Sequence, residues 1–147
     1  MNDQFQFSTR TLILPLLIIF IMWLVYWVEI AFGYNFNDFG IYPRTFSGFK
    51  GVLFSPFIHS NTEHLFNNSI PLLVLLLALG YFYGSIAHRI LLIGWIATGV
   101  LTWFVARTSF HIGASGVVYM LVSFIFFSGI FRKYYRLIAV SLTVVFL

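Results

Sequence analysis

Apolar residues fill this chain in four long blocks and one shorter one, and the polar residues gather between them. The blocks at residues 11–33, 65–83, 89–106 and 114–131 each approach the roughly 20 residues that carry an α-helix across a hydrocarbon core. Their length predicts helices rather than barrel strands. A fifth block begins near Arg136 and gives about 16 Å of helix by Leu147, roughly half of a 30 Å core. The first block is too long for the apolar core of a signal peptide and lacks a small-x-small cleavage site after it, so it reads as a retained span. Between the first two blocks, residues 34–61 keep Phe39, Ile41, Tyr42, Phe46, Phe49, Val52, Leu53 and Phe54 among turn residues. A connection that apolar is expected to lie in the membrane interface. Trp23, Tyr26 and Trp27 can anchor to headgroups or pack on neighbouring helices, and packing is expected for most of them. Gly80 and Gly84, four apart, and Gly94, Ala97 and Ala106 are expected to let helices approach closely.

Composition agrees: 61% of the 147 residues are hydrophobic and 8% charged, with a mean hydropathy of +0.96. The expected fold is all-α, a polytopic transmembrane helical bundle forming one domain over residues 1–147. No cysteine is present, which excludes disulfides, thiolate catalysis and thiolate-bound metals. The net charge of +4 is scattered as residues flanking the blocks plus one cluster, Arg132, Lys133 and Arg136, which argues against a nucleic-acid partner. With the N-terminus inside, cytoplasmic segments carry Arg10, Arg89, Arg132, Lys133 and Arg136, and outer segments carry Arg44, Lys50 and Arg107. That balance favours a cytoplasmic N-terminus.

Ionisable and amide groups inside a membrane helix are costly and mark function. The second block opens "FIHSNTEHLFNNS", with His59, Glu63, His64, Asn67 and Asn68. His64 and Asn68 are four apart and share one helical face. The fourth block opens "HIGASGVVY", with Ser115 between Gly113 and Gly116 and Tyr119 one turn later. One crossing separates the second and fourth blocks, so both run the same way and these polar groups lie at similar depth; spacing does not decide whether they face each other. Ser115 fits two roles, a small packing residue or a nucleophile. Glycines beside it permit a sharp entry into the helix, and a helix N-terminus offers free N–H groups to a developing negative charge. With an imidazole and an amide added, the parts of an oxyanion hole are present. Metal binding by His59, Glu63 and His64 is disfavoured, because their spacing does not share a face.

These residues resemble the rhomboid intramembrane serine proteases. The resemblance runs from "YPRTFSGFKGVLFSPFIHSNTEHLFNN" to "GASGVVY", and the H-x4-H-x3-N array of His59, His64 and Asn68 followed by G-A-S-G is its most specific part. It implies about five of six core spans, an activity without cofactor, and transmembrane proteins in a lipid bilayer as substrates. It implies Ser115 as nucleophile within the Gly113, Ala114 and Gly116 motif, and His64, Asn68 and the Ser115 N–H as oxyanion donors. His59 is then a supporting residue, and Tyr119 packs on the catalytic histidine. Residues 34–61 become the family's membrane-embedded hairpin, and a bacterial inner membrane is the expected location. Rhomboids draw their base from a later G-x-x-x-G-H pattern, and nothing here matches it: His88 falls at the opposite membrane face, and the family counterpart of His111 is not the base. The resemblance therefore implies a base histidine beyond Leu147, a C-terminally truncated chain, and no activity from these residues alone. A rhomboid-like pseudoprotease that holds client helices is the alternative, and a transporter or channel component a third.

Overall fold

The computed structural model describes residues 9–146. Helix α1 spans Thr9–Phe32, and then come short turns of helix: 3-10 at Asn37–Phe39 and Ser47–Lys50, α2 at Gly51–Phe54, and 3-10 at Ser55–Phe57. The long helices α3 (Thr62–Tyr83), α4 (Ala87–Val105) and α5 (Ser115–Phe131) follow, and then α6 (Tyr135–Val145). The hydropathy pattern placed the long helices within three residues of these limits. It did not separate the short turns of residues 37–57 from loop, because their length leaves no period to read. Thr11–Phe32 and the stretch Thr62–Val105 are long and apolar enough to cross a membrane. The second stretch holds two helices, because Gly84 at φ +52° and a 3-10 turn at Gly84–Ile86 break it.

Specific contacts give the helix directions. Trp23 Nε1 donates to Ser69 Oγ at 3.0 Å, and the Tyr26 and Thr62 hydroxyls bond at 2.9 Å. The N-terminal end of α1 meets α3 at Thr11 and Gly80, so α1 and α3 are antiparallel. Helix α4 packs antiparallel to α5, with Gly94 at Met120 and Thr98 at Gly116. Helix α5 runs parallel to α3, with Gly113 at His64 at one end and the Phe124 and Tyr83 rings 5.2 Å apart at the other. It therefore sits among α3, α4 and α6, and its Leu121 and Ile125 are buried with Met22, Leu65, Leu75, Leu79 and Leu137.

Helix ends follow local chemistry. The Asn61 side chain accepts from His64 N at 2.7 Å and caps α3. At the end of α1, Gly33 takes φ +69°, Tyr34 N donates to the Glu29 carbonyl at 3.0 Å, and the Glu29 carboxylate receives Phe36 N at 2.8 Å.

Two expectations need correction. Gly80 and Gly94 are packing glycines, but Gly84 has nothing within 4 Å of its missing β-carbon and serves the turn. Ala97 is exposed, and the close approach on α4 belongs to Gly99, which lies against Val52. Trp23 and Tyr26 pack on α3, as expected for most of the three aromatics, and Trp27 is exposed.

Residues 34–61 fold back on the bundle. Ile41 and Val52 are buried, while Phe46 is 97% exposed and Phe39, Phe49, Leu53 and Phe54 are exposed beside it. A β-carbon on Gly51 would collide with the backbone of Gly40 and Ile41, with no flexible side chain to give way. Gly51→Ala is expected to cost about 1–3 kcal/mol and lower the thermal unfolding midpoint in detergent. Gly33→Ala meets only backbone strain, about 1 kcal/mol, and should lower it less. Equal shifts in the two variants would contradict the close approach at Gly51.

Candidate active site

The polar start of α3 lies against the turn that enters α5. Gly113 has φ +100°, a conformation that side chains disfavour. A β-carbon there would lie 2.7 Å from His64 Nε2 and Cε1 and 3.5 Å from Asn68 Nδ2. Glycine is thus required twice, by backbone angle and by neighbouring side chains. Gly113 N donates to the Ser55 carbonyl at 2.9 Å, which fixes the turn from its other side. The lateral question left open by spacing is answered: His64 and Asn68 meet the segment two residues before Ser115.

Each group has a defined environment. The His64 backbone is held by the Asn61 cap, and Nδ1 lies 3.3 Å from Ser60 Oγ, leaving Nε2 at the Gly113 side. Asn68 is 5% exposed and spends one Nδ2 proton on the His64 carbonyl at 3.0 Å, leaving the other free to donate. Ala114 is fully buried, and Ser115 begins α5, where the first N–H groups have no helical acceptor. Gly116 faces the Thr98 methyl. Tyr119 is 71% exposed, and no imidazole contacts it among the described residues.

His59 sits in the loop before α3, 2% exposed, with its ring edge-on to His64 at 5.1 Å between centroids. Neither ring nitrogen has a hydrogen-bond partner among the described residues. Burial lowers its pKa from 6.5 to about 4, and the charge of His64 pushes the same way. The Phe57 backbone pulls weakly upward without a bond of standard geometry to either nitrogen. His59 is therefore a neutral imidazole near pH 7.

Ser115 also borders a cavity of about 170 Å³ between residues 41–56, α4 and the loop before α5. Ser55, Thr98, Thr102 and His111 line it. Sequence reasoning missed Ser55, Thr98 and Thr102. Thr98 and Thr102, four apart in an apolar helix, carried the same one-face signal as His64 and Asn68. His88, at the start of α4, lies at the far end of the bundle from Ser115.

A family model described as Rhomboid domain matches residues 47–147. The chain belongs to the rhomboid family. This rhomboid is 33% identical over 137 residues to uncharacterized proteins of Mycobacterium tuberculosis and Mycobacterium bovis, covering 86% of this chain and 55% of each relative. An uncharacterized protein of Mycobacterium leprae is 36% identical over 91 residues, covering 56% of this chain and 36% of the relative. The rhomboid chain thus spans about half the length of the curated relatives it matches. No solved structure matches it. Membership and the two long apolar helices make it an integral membrane protein.

The His59 environment predicts how stability depends on pH. Its folded pKa, about 4, lies below the unfolded 6.5, so the unfolded chain binds more protons between those values. The contribution is complete above about pH 6.5 and is lost as pH falls toward 4, with a total on the order of 3 kcal/mol. The unfolding midpoint in micelles should fall over that window, and His59→Phe should flatten the fall; an identical slope in the variant would exclude His59 as its source.

Proposed function

We propose that this rhomboid is an intramembrane serine endopeptidase with Ser115 as nucleophile. The observation that carries the reading is the meeting of His64 Nε2 and Asn68 Nδ2 at Gly113, beside the free N–H groups that begin α5. With Ser60 Oγ donating to Nδ1, the His64 proton resides on Nε2 and points where an oxyanion would form. Attack by Ser115 Oγ on a peptide carbonyl moves charge onto the carbonyl oxygen. His64, Asn68 and the Ser115 N–H donate to it, and donors held in place before the reaction stabilise such developing charge. His59 supports the His64 ring as a neutral neighbour.

Ser115 needs a general base to act as nucleophile, and a histidine completing a Ser–His dyad would supply it. Tyr119 is then the residue that packs on it. The helices cross a bacterial cell membrane several times with the N-terminus in the cytoplasm, and the substrates are transmembrane segments of other proteins, cleaved near the start of α3 and α5. No cofactor takes part. Among the described residues no imidazole bonds Ser115 Oγ, and the second reading is a scaffold that holds client helices without cutting them.

Full-length protein should form a covalent adduct with a fluorophosphonate probe, and Ser115→Ala should abolish it. Labelling that survives this substitution would remove Ser115 as nucleophile. Removing an oxyanion donor by His64→Ala or Asn68→Ala should lower kcat about 10²- to 10³-fold with the fold retained. Unlabelled protein that still captures a transmembrane client, equally well as Ser115→Ala, would establish the scaffold reading instead.

A further inference from the structure

The cavity beside Ser115 is polar in an unusual way for an apolar bundle. At about 170 Å³ it is well below the roughly 300–1,000 Å³ of sites for small molecules, so its size suits one side chain. His111 is a fixed part of its wall. The His111 backbone exchanges hydrogen bonds with Ile41 at 2.9 and 2.8 Å, and Nε2 lies 2.9 Å from the Arg107 carbonyl. A carbonyl only accepts, so the proton belongs on Nε2 and the neutral ring offers the Nδ1 lone pair. Nδ1 makes no hydrogen bond among the described residues. Ser55, 6% exposed on the opposite segment, likewise has an Oγ without a bond among them. The Thr102 hydroxyl, by contrast, is spent on the Thr98 carbonyl at 2.9 Å.

We infer that His111 makes this cavity select a substrate side chain bearing a hydroxyl, such as threonine, over an apolar one of the same shape, such as valine. The inference rests on the reading above, that a peptide segment is presented to Ser115. A hydroxyl guest donates to His111 Nδ1 and accepts from Ser55, while its methyl group meets the apolar wall made by Val52 and Trp95. Valine fits the same space and leaves both polar groups unpaired after expelling their water, which is the costly outcome. His111 is thus a specificity-determining residue with no part in the bond-making step.

The test separates selection from catalysis. Full-length Ser115→Ala protein in micelles is titrated with two acetylated tetrapeptide amides, identical except for a C-terminal threonine or valine, and binding is followed by calorimetry. The threonine peptide is expected to bind roughly 2- to 10-fold tighter, the range given by one neutral hydrogen bond. His111→Phe should erase the preference, and His111→Asn, which retains an acceptor, should keep part of it. Should the phenylalanine variant fail to fold, Ser55→Ala offers the same reading, with a reduced ratio expected. Equal binding of the two peptides, no binding of either, or a preference unchanged by His111→Phe and Ser55→Ala would overturn the assignment. Fluorophosphonate labelling of Ser115 is decided independently, so loss of one reading leaves the other standing.

Discussion

Two backbone hydrogen bonds between Ile41 and His111, running in opposite directions, tie the segment after α1 to the loop that delivers Ser115. Irregular backbone lacks the internal pairing of a helix, so a loop packed into a bundle depends on partners that the rest of the protein supplies. The pairing extends both ways. Gly113 N donates to the Ser55 carbonyl toward α5, and toward α4 the Arg44 guanidinium binds the Phe104 and Ala106 carbonyls at 3.2 and 2.9 Å. Trp103 Nε1 adds a bond to the Thr45 carbonyl at 2.9 Å. The loop is held at both ends by residues 41–55, and so the start of α5 is fixed by a segment some sixty residues earlier. Close approach of the backbones makes side chains at Gly40, Gly48 and Gly51 impossible without movement.

Elsewhere the bundle disposes of its polar side chains locally. Ser69, Thr102 and Thr143 donate to the carbonyl one turn back, and Ser141 to the carbonyl three residues back. Such bonds cost the helix little and keep hydroxyls out of the apolar surroundings. Ser69 is used twice, since it also accepts from Trp23 and so joins α1 to α3. Among the described residues, four fully buried side-chain atoms have no hydrogen-bond partner. Glu29 Oε2 and Tyr83 OH are single atoms, the former on a carboxylate whose other oxygen is engaged. His59 leaves both ring nitrogens unpaired, directly against His64.

The helices were legible because their signal is cumulative: roughly twenty apolar residues in a row survive any single misreading. That His64, Asn68 and Ser115 share one end of the bundle was legible too, since it follows from counting helix reversals. Their lateral meeting was not, because rotation of α5 about its axis is set by contacts such as Gly94 with Met120 and Gly116 with Thr98, which lie far from the motif in sequence. The short helices of residues 47–57 were missed for want of a period. Gly84 was misread because the same letter serves a packed interface at Gly80 and a turn four residues on, and only the backbone angle separates them. Thr98 and Thr102 were passed over although their spacing was visible, since a threonine in a membrane helix usually bonds its own backbone, as Thr102 does.

Packing and chemistry were two competing readings of G-A-S-G, and the geometry divides the tetrapeptide between them. Packing accounts for Ala114, which is fully buried, and for Gly116 against Thr98. Gly113 belongs to neither reading alone: its positive φ makes the turn, while the absence of a β-carbon admits the His64 ring and the Asn68 amide. Ser115 heads its helix with no hydroxyl bond among the described residues, beside a cavity where Ser55 Oγ is also without one. Replacing it by alanine would cost packing almost nothing, so packing does not explain why a hydroxyl stands there.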